Sequence, residues 1–99
     1  MLSIDQKRDN NLVTVALKGR LDTATAPRLE AELKAALADA NAICFDFEEL
    51  EYISSAGLRV LLSVYKQMKS RGGMELCHVH EGIMEVFDVT GFTDFLTIK

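Results

Sequence analysis

The sequence predicts a single α/β domain over residues 1–99, a mixed sheet of four or five strands flanked by helices in the order β-β-α-β-α-β-α, with a final strand optional. Three observations carry that reading. Short apolar runs alternate with stretches of helical spacing, and strands separated by helices run parallel through crossover connections. The first two runs are divided only by Asn10 and Asn11, which makes them an antiparallel hairpin and the sheet a mixed one. The 99 residues are 48% hydrophobic and 26% charged with one proline, enough for one small core that buries somewhat more than ~60% of the unfolded surface.

LSIDQKR and LVTVALKG, on either side of the asparagine pair, are the two hairpin strands. After Gly19, RLDTATAP introduces a helix with Thr25 as N-cap and Pro27 in the first turn, where the missing N–H costs nothing. Leu29, Leu33, Ala36, Leu37 and Ala40 mark its apolar face. AICFDF, residues 42–47, is too brief for a helix and nearly all apolar, as expected of a central strand covered on both sides. Leu58 to Met68 has helical spacing, ended by Gly72 and Gly73. MELCHV is the next strand. Ile83, Met84, Val86 and Phe87 form a third helix closed by Gly91, with Phe87, Phe92 and Phe95 as packing residues, and FLTI is a short strand or a packed tail.

Composition excludes several functions. A net charge of −4 lacks the basic footprint that phosphate neutralisation needs, so nucleic acid is not an expected direct partner. Cys44 and Cys77 lie in strand-like runs without a CxxC, which favours reduced, buried thiols over a disulfide or zinc site and points to the cytoplasm. No apolar run of signal length or of ~18 residues occurs, so neither export nor a membrane span is expected. His78 and His80 share a strand face at i, i+2 but find no third metal ligand at useful spacing. Ser63-Val-Tyr-Lys66 matches S-x-x-K without the S-D-N or K-T-G that would give it meaning. No metal, cofactor or catalytic residue is expected.

ISSAGLRVLL, residues 53–62, is the segment that asks for a function. One serine suffices to cap a helix; two adjacent ones need a second explanation. Stepping ~100° per residue from Ser55 places Arg59, Ser63, Lys66 and Ser70 beside it and Leu58, Leu61, Val64, Tyr65 and Met68 on the other side. Ser55 therefore faces solvent and Ser54 faces inward. A nucleophile elbow fails, because Ile53 stands at the first glycine of G-x-S-x-G and His78 and His80 precede the later acids Asp88 and Asp94. Beside plain capping, a further reading of an exposed hydroxyl is phosphorylation: it adds about −1.5 to −2 charges, which helix N–H groups and the dipole tolerate and Arg59 can pair. Its effect would fall on a docking partner, since Asp46, Glu48, Glu49 and Glu51 make the surroundings acidic and more negative charge repels an acidic surface.

LEYISSAGLRVLLSVYKQM resembles the signature segment of STAS domains, specifically the anti-sigma factor antagonists of bacterial partner-switching systems. GRLDTATAP, residues 19–27, resembles the family's second characteristic segment, and the likeness spans nearly the whole chain. It implies a non-enzymatic protein that, unphosphorylated, binds an anti-sigma factor that is also a serine kinase and so releases the sigma factor. Phosphorylation switches binding off and a serine phosphatase restores it. By the same likeness Ser55 is the modified residue, and Asp22, Thr23, Ser54, Ala56, Gly57 and Arg59 join it on the switch surface. Where many relatives have Asp-Ser-Ser-Gly, this chain has Ser54 at the aspartate position and Ala56 at the second serine. The alternative reading is a STAS module sensing a nucleotide or other small ligand within a larger assembly. A monomer meets every requirement of the first reading.

Overall fold

A computed structural model describes residues 1–99. Strands β1 (Leu2–Asp9) and β2 (Leu12–Leu21) pair antiparallel with Asp9 opposite Leu12. The turn between them puts Asn10 at a φ of 57°, a left-handed conformation that asparagine tolerates better than most residues. Strands β3 (Ala42–Ile53), β4 (Met74–Cys77) and β5 (Thr97–Ile98) follow in the spatial order β1-β2-β3-β4-β5, each parallel to its predecessor. The crossovers are helices α1 (Ala26–Ala36), α2 (Ser55–Met68) and α3 (Glu81–Thr90), the last followed by a 3-10 turn over Phe92–Asp94. The mixed α/β order expected from the sequence is the order observed.

All 25 buried apolar side chains form one cluster, so the three helices share one face of the sheet. Within the first half of β3, Ile43, Phe45 and Phe47 are buried while Ala42, Cys44 and Asp46 are only half-buried. The central strand is therefore not covered on both sides. Alternation, hidden in the sequence by the small side chains of Ala42 and Cys44, leaves a second face open to solvent. Cys44 and Cys77 lie there as free, half-buried thiols rather than in the core.

β3 also runs to Ile53, twelve residues in place of six. The glutamates that interrupt the apolar run do not end the strand. Phe47, Leu50 and Ile53 are all buried although each follows the last by three positions, a spacing at odds with period-2 alternation. Two irregularities resolve the conflict: Ala16 pairs with Asp46 but Lys18 with Glu49, and Gly19 pairs with Leu50 but Arg20 with Tyr52, so β3 carries one extra residue at each step. Glu48, Glu49 and Glu51 are thereby turned out to solvent.

The helix ends follow local chemistry. α2 begins three residues before Leu58, with Leu58, Val60, Leu61, Val64 and Met68 on its buried side, and Gly73, at a φ of +94°, returns its N–H to the Met68 carbonyl at 3.1 Å. Gly91, at a φ of 79°, closes α3. Both of the readings offered for the tail hold: Thr97–Ile98 is a strand, and Phe95 packs on Tyr65 with ring centroids 4.8 Å apart.

Candidate functional site

The parallel pairing of β2 and β3 brings two distant loops together at the carboxyl ends of those strands. Leu21 is registered against Ile53, and the Ser54 N–H donates to the Leu21 carbonyl at 2.9 Å. The Asp22 loop is thus tied by backbone to the serine turn.

At that turn the two hydroxyls have different environments. Ser54 is the N-cap of α2, with extended backbone (φ −99°, ψ 175°), and its Oγ accepts the Gly57 N–H at 3.3 Å. Ser55 is the first helical residue and is exposed. It stands in the first turn of a 14-residue helix, where negative charge is favoured by ~0.3–1 kcal/mol. Gly57 is buried and helical, and close approach explains it: a Cβ there would meet Leu21 Cγ at 2.7 Å and Ile53 Cγ1 at 2.9 Å. Glycine lets the first turn of α2 settle onto both strand ends.

Asp22 organises its own loop. Its Oδ1 accepts the Ala24 N–H at 3.0 Å and the Thr25 N–H at 3.1 Å, with the Thr25 hydroxyl 3.2 Å away. The Thr25 backbone N–H is the main influence holding the carboxyl below its usual 3.8, with the Thr25 hydroxyl and the Ala24 N–H acting the same way and burial opposing them. Thr25 stands at the N-cap of α1 yet makes no capping bond, because its backbone is already helical (φ −99°, ψ −21°); its Oγ1 lies 2.8 Å from the Arg20 carbonyl. Arg20, half-exposed, sits over the Tyr52 ring at 4.2 Å and 3.8 Å from the Asp22 carboxylate.

An open concavity next to the turn is lined by Thr23, Ala26, Pro27, Ala56, Arg59 and Val60 among others, which unites Thr23, Ala56 and Arg59 on one surface. Arg59 takes part in none of the chain's ion pairs. Ala26, Pro27 and Val60 are not among the site residues read from the sequence, where Pro27 serves only to start a helix; the i, i+4 pair Ala56 and Val60 is the available signal, since both fall on the side of α2 that meets α1.

One of the four acids expected around Ser55 is elsewhere. Asp46 lies nine residues before Ser55, up to ~30 Å at the ordinary strand rise, and its Oδ1 is 3.0 Å from His78 Nδ1 on the open sheet face. Burial pushes the Asp46 carboxyl up, but the Glu48 N–H and His78 outweigh it and hold it low, while the same bond and charge raise the His78 imidazole above 6.5. Burial and the neighbouring Cys77 thiol push Cys44 up to about 11. His80 Nε2 lies 2.6 Å from the Leu50 carbonyl, so both histidines are engaged along β3 rather than at the serine turn.

This fold is that of a STAS domain: the STAS domain family model matches residues 3–99, and the chain belongs to that family. BtrV of Bordetella bronchiseptica, provisionally named an anti-sigma factor antagonist, is 33% identical over 98% of this chain and 85% of its own length. The anti-sigma-B factor antagonist of Bacillus subtilis is 32% identical over 99% of this chain and 91% of its own length. Among solved structures, an anti-sigma factor antagonist from Mycobacterium paratuberculosis superposes with a TM-score of 0.90 at 22% identity, covering 99% of this chain and 85% of that one. The phosphorylated form of SpoIIAA from Bacillus gives 0.76 at 19% identity, covering 98% and 91%. No helix of the chain is long and apolar enough to cross a membrane.

Proposed function

We propose that this protein is an anti-sigma factor antagonist acting in the cytoplasm by binding alone, with no catalytic step of its own. The unphosphorylated chain docks its serine turn and Asp22 loop onto an anti-sigma factor that is also a serine kinase, which frees the sigma factor. Phosphorylation at Ser55 switches docking off, and a serine phosphatase reverses it. The observation that carries the residue assignment is the division of the two hydroxyls: Ser54 Oγ is occupied by the Gly57 N–H, while Ser55 is exposed at the helix start. A phosphate there adds about −1.5 to −2 charges beside the helix N-terminus and Arg59, a setting that keeps the fold intact. The cost then falls on the partner, which must accommodate the added charge and volume on the face it covers. Relatives named anti-sigma factor antagonists over nearly the whole chain support the reading.

Incubation with a cognate kinase and ATP, followed by mass spectrometry, tests it. Phosphate is expected at Ser55 in the parent and in Ser54→Ala, and absent in Ser55→Ala. Modification at Ser54, or none at either serine with kinase binding unaffected by Ser55→Asp, would contradict it.

A further inference from the structure

The open face of the sheet gathers metal-binding side chains that the serine turn does not use. Cys44 and Asp46, at i and i+2 on β3, project to that face together, and the register sets Cys77 of β4 directly beside Asp46. Simple alternation would send His78 to the helix side. Its backbone instead takes a φ of 58°, a left-handed conformation uncommon outside glycine that histidine adopts more readily than most residues, and its Nδ1 comes within 3.0 Å of Asp46 Oδ1. As a result one ligand atom from each of Asp46, Cys77 and His78 lies within 4.8 Å of the others. Cys44 Sγ is 3.8 Å from Cys77 Sγ.

We propose that Asp46, Cys77 and His78 bind one zinc ion on the open face of the sheet, and that Cys44, which lies outside their 4.8 Å group but beside Cys77, turns in as the fourth ligand. The donor set decides the metal: two sulfurs, an imidazole nitrogen and a carboxylate oxygen suit a borderline-soft ion of tetrahedral preference, where magnesium or calcium would demand oxygen alone. Spacing agrees. With Zn–S near ~2.3 Å, two thiolates on one tetrahedral zinc lie about 3.8 Å apart, which is the separation already present. Supporting bonds are in place as well, because the Glu48 N–H donates to Asp46 Oδ1 at 3.0 Å and fixes the carboxylate. The face is open, so the ion has a path in, and the exposed Glu48 nearby favours a cation, whereas Glu49 is paired with Lys18. On binding, each thiol releases its proton to solvent, the His78 Nδ1–H that bonds Asp46 Oδ1 gives up its proton as that bond breaks, and the freed sulfur, nitrogen and carboxylate lone pairs form the bonds to zinc. The sequence concealed this group because its ligands come from two strands without a CxxC, and because a left-handed histidine is not legible in a pattern.

The test is a zinc titration of the full chain, kept reduced with a phosphine, in competition with a chromogenic zinc chelator. One zinc per chain is expected, with a higher thermal unfolding midpoint and, on cobalt substitution, a thiolate-to-metal charge-transfer band. Cys77→Ser, Cys44→Ser and His78→Ala each weaken binding at least about tenfold, whereas His80→Gln does not. Circular dichroism of the metal-free variants separates a lost ligand from a lost fold, and the exposed His78→Ala keeps the question decidable if a cysteine variant unfolds. No stoichiometric binding by the reduced parent, or binding untouched by His78→Ala in a folded protein, overturns the proposal.

Discussion

Gly57→Ala places a methyl group into the closest contact between α2 and the sheet. The new Cβ would lie 2.7 Å from Leu21 Cγ, 2.9 Å from Ile53 Cγ1 and 3.0 Å from Leu21 Cδ2. Leu21 is 0% and Ile53 4% exposed, so neither side chain has solvent to swing into. The first turn of α2 must therefore lift, or both strand ends must shift. Over-packing of this kind costs ~1–3 kcal/mol. Alanine recovers up to ~1 kcal/mol of helix propensity over glycine, less at a first-turn position, which leaves a net loss of about 1–2 kcal/mol. For a domain of this size that is a fall of roughly 4–16 °C in the unfolding midpoint. Urea unfolding should show a lower midpoint with an unchanged slope. Because the same turn presents Ser55, partner affinity should fall with it. A Gly57→Ala chain as stable as the parent would refute the close-packing argument for this glycine.

Ser54→Ala removes the α2 cap and should cost ~1 kcal/mol, while Ser55→Ala should stay within ~0.5 kcal/mol of the parent; comparable losses in urea melts would undo the division of roles. The Asp22 carboxyl is held below 3.8, chiefly by the Thr25 N–H, so its contribution to stability is present above that value and lost as pH falls through its folded value. Asp22→Asn should accordingly flatten the decline in unfolding midpoint below about pH 4, and an unchanged acid limb would count against the loop bonds. Arg71 Nη1 donates to the Leu37 carbonyl at 2.7 Å and the Ala40 carbonyl at 3.0 Å, joining the end of α2 to the segment that follows α1. Arg71→Met should destabilise by ~1–3 kcal/mol, measured by denaturant unfolding, since it strands carbonyls that a charged donor satisfied.

Much of the fold is legible because its signals are local. The Asn10-Asn11 turn, the glycines ending α2 and α3, and the helical face from Leu58 to Met68 each follow from residues within a few positions of one another. What escapes the sequence is decided across strands. The continuation of β3 to Ile53 needs two irregularities against β2, and nothing between Phe47 and Ile53 announces them. The open face is masked because small and apolar side chains at Ala42 and Cys44 read as core. At the site, helical phase separates Ser54 from Ser55 correctly in exposure, since an angle is a local property. The bond from the Ser54 N–H to the Leu21 carbonyl, which unites the serine turn with the Asp22 loop, depends on the registry of two strands more than thirty residues apart in the chain. The displacement of Asp46 from the turn has the same origin, because nearness along an extended strand still amounts to ~3.3 Å per residue.

The account's central claim is that the exposed hydroxyl controls docking and the capping one does not. Calorimetric titration of the cognate anti-sigma factor into the purified parent, Ser54→Ala, Ser55→Asp and kinase-treated parent measures it directly. The expected result is affinity for Ser54→Ala within about threefold of the parent, and at least a tenfold loss, ~1.4 kcal/mol, for Ser55→Asp and the phosphorylated chain. Equal affinity for the parent and the chain phosphorylated at Ser55 would contradict it.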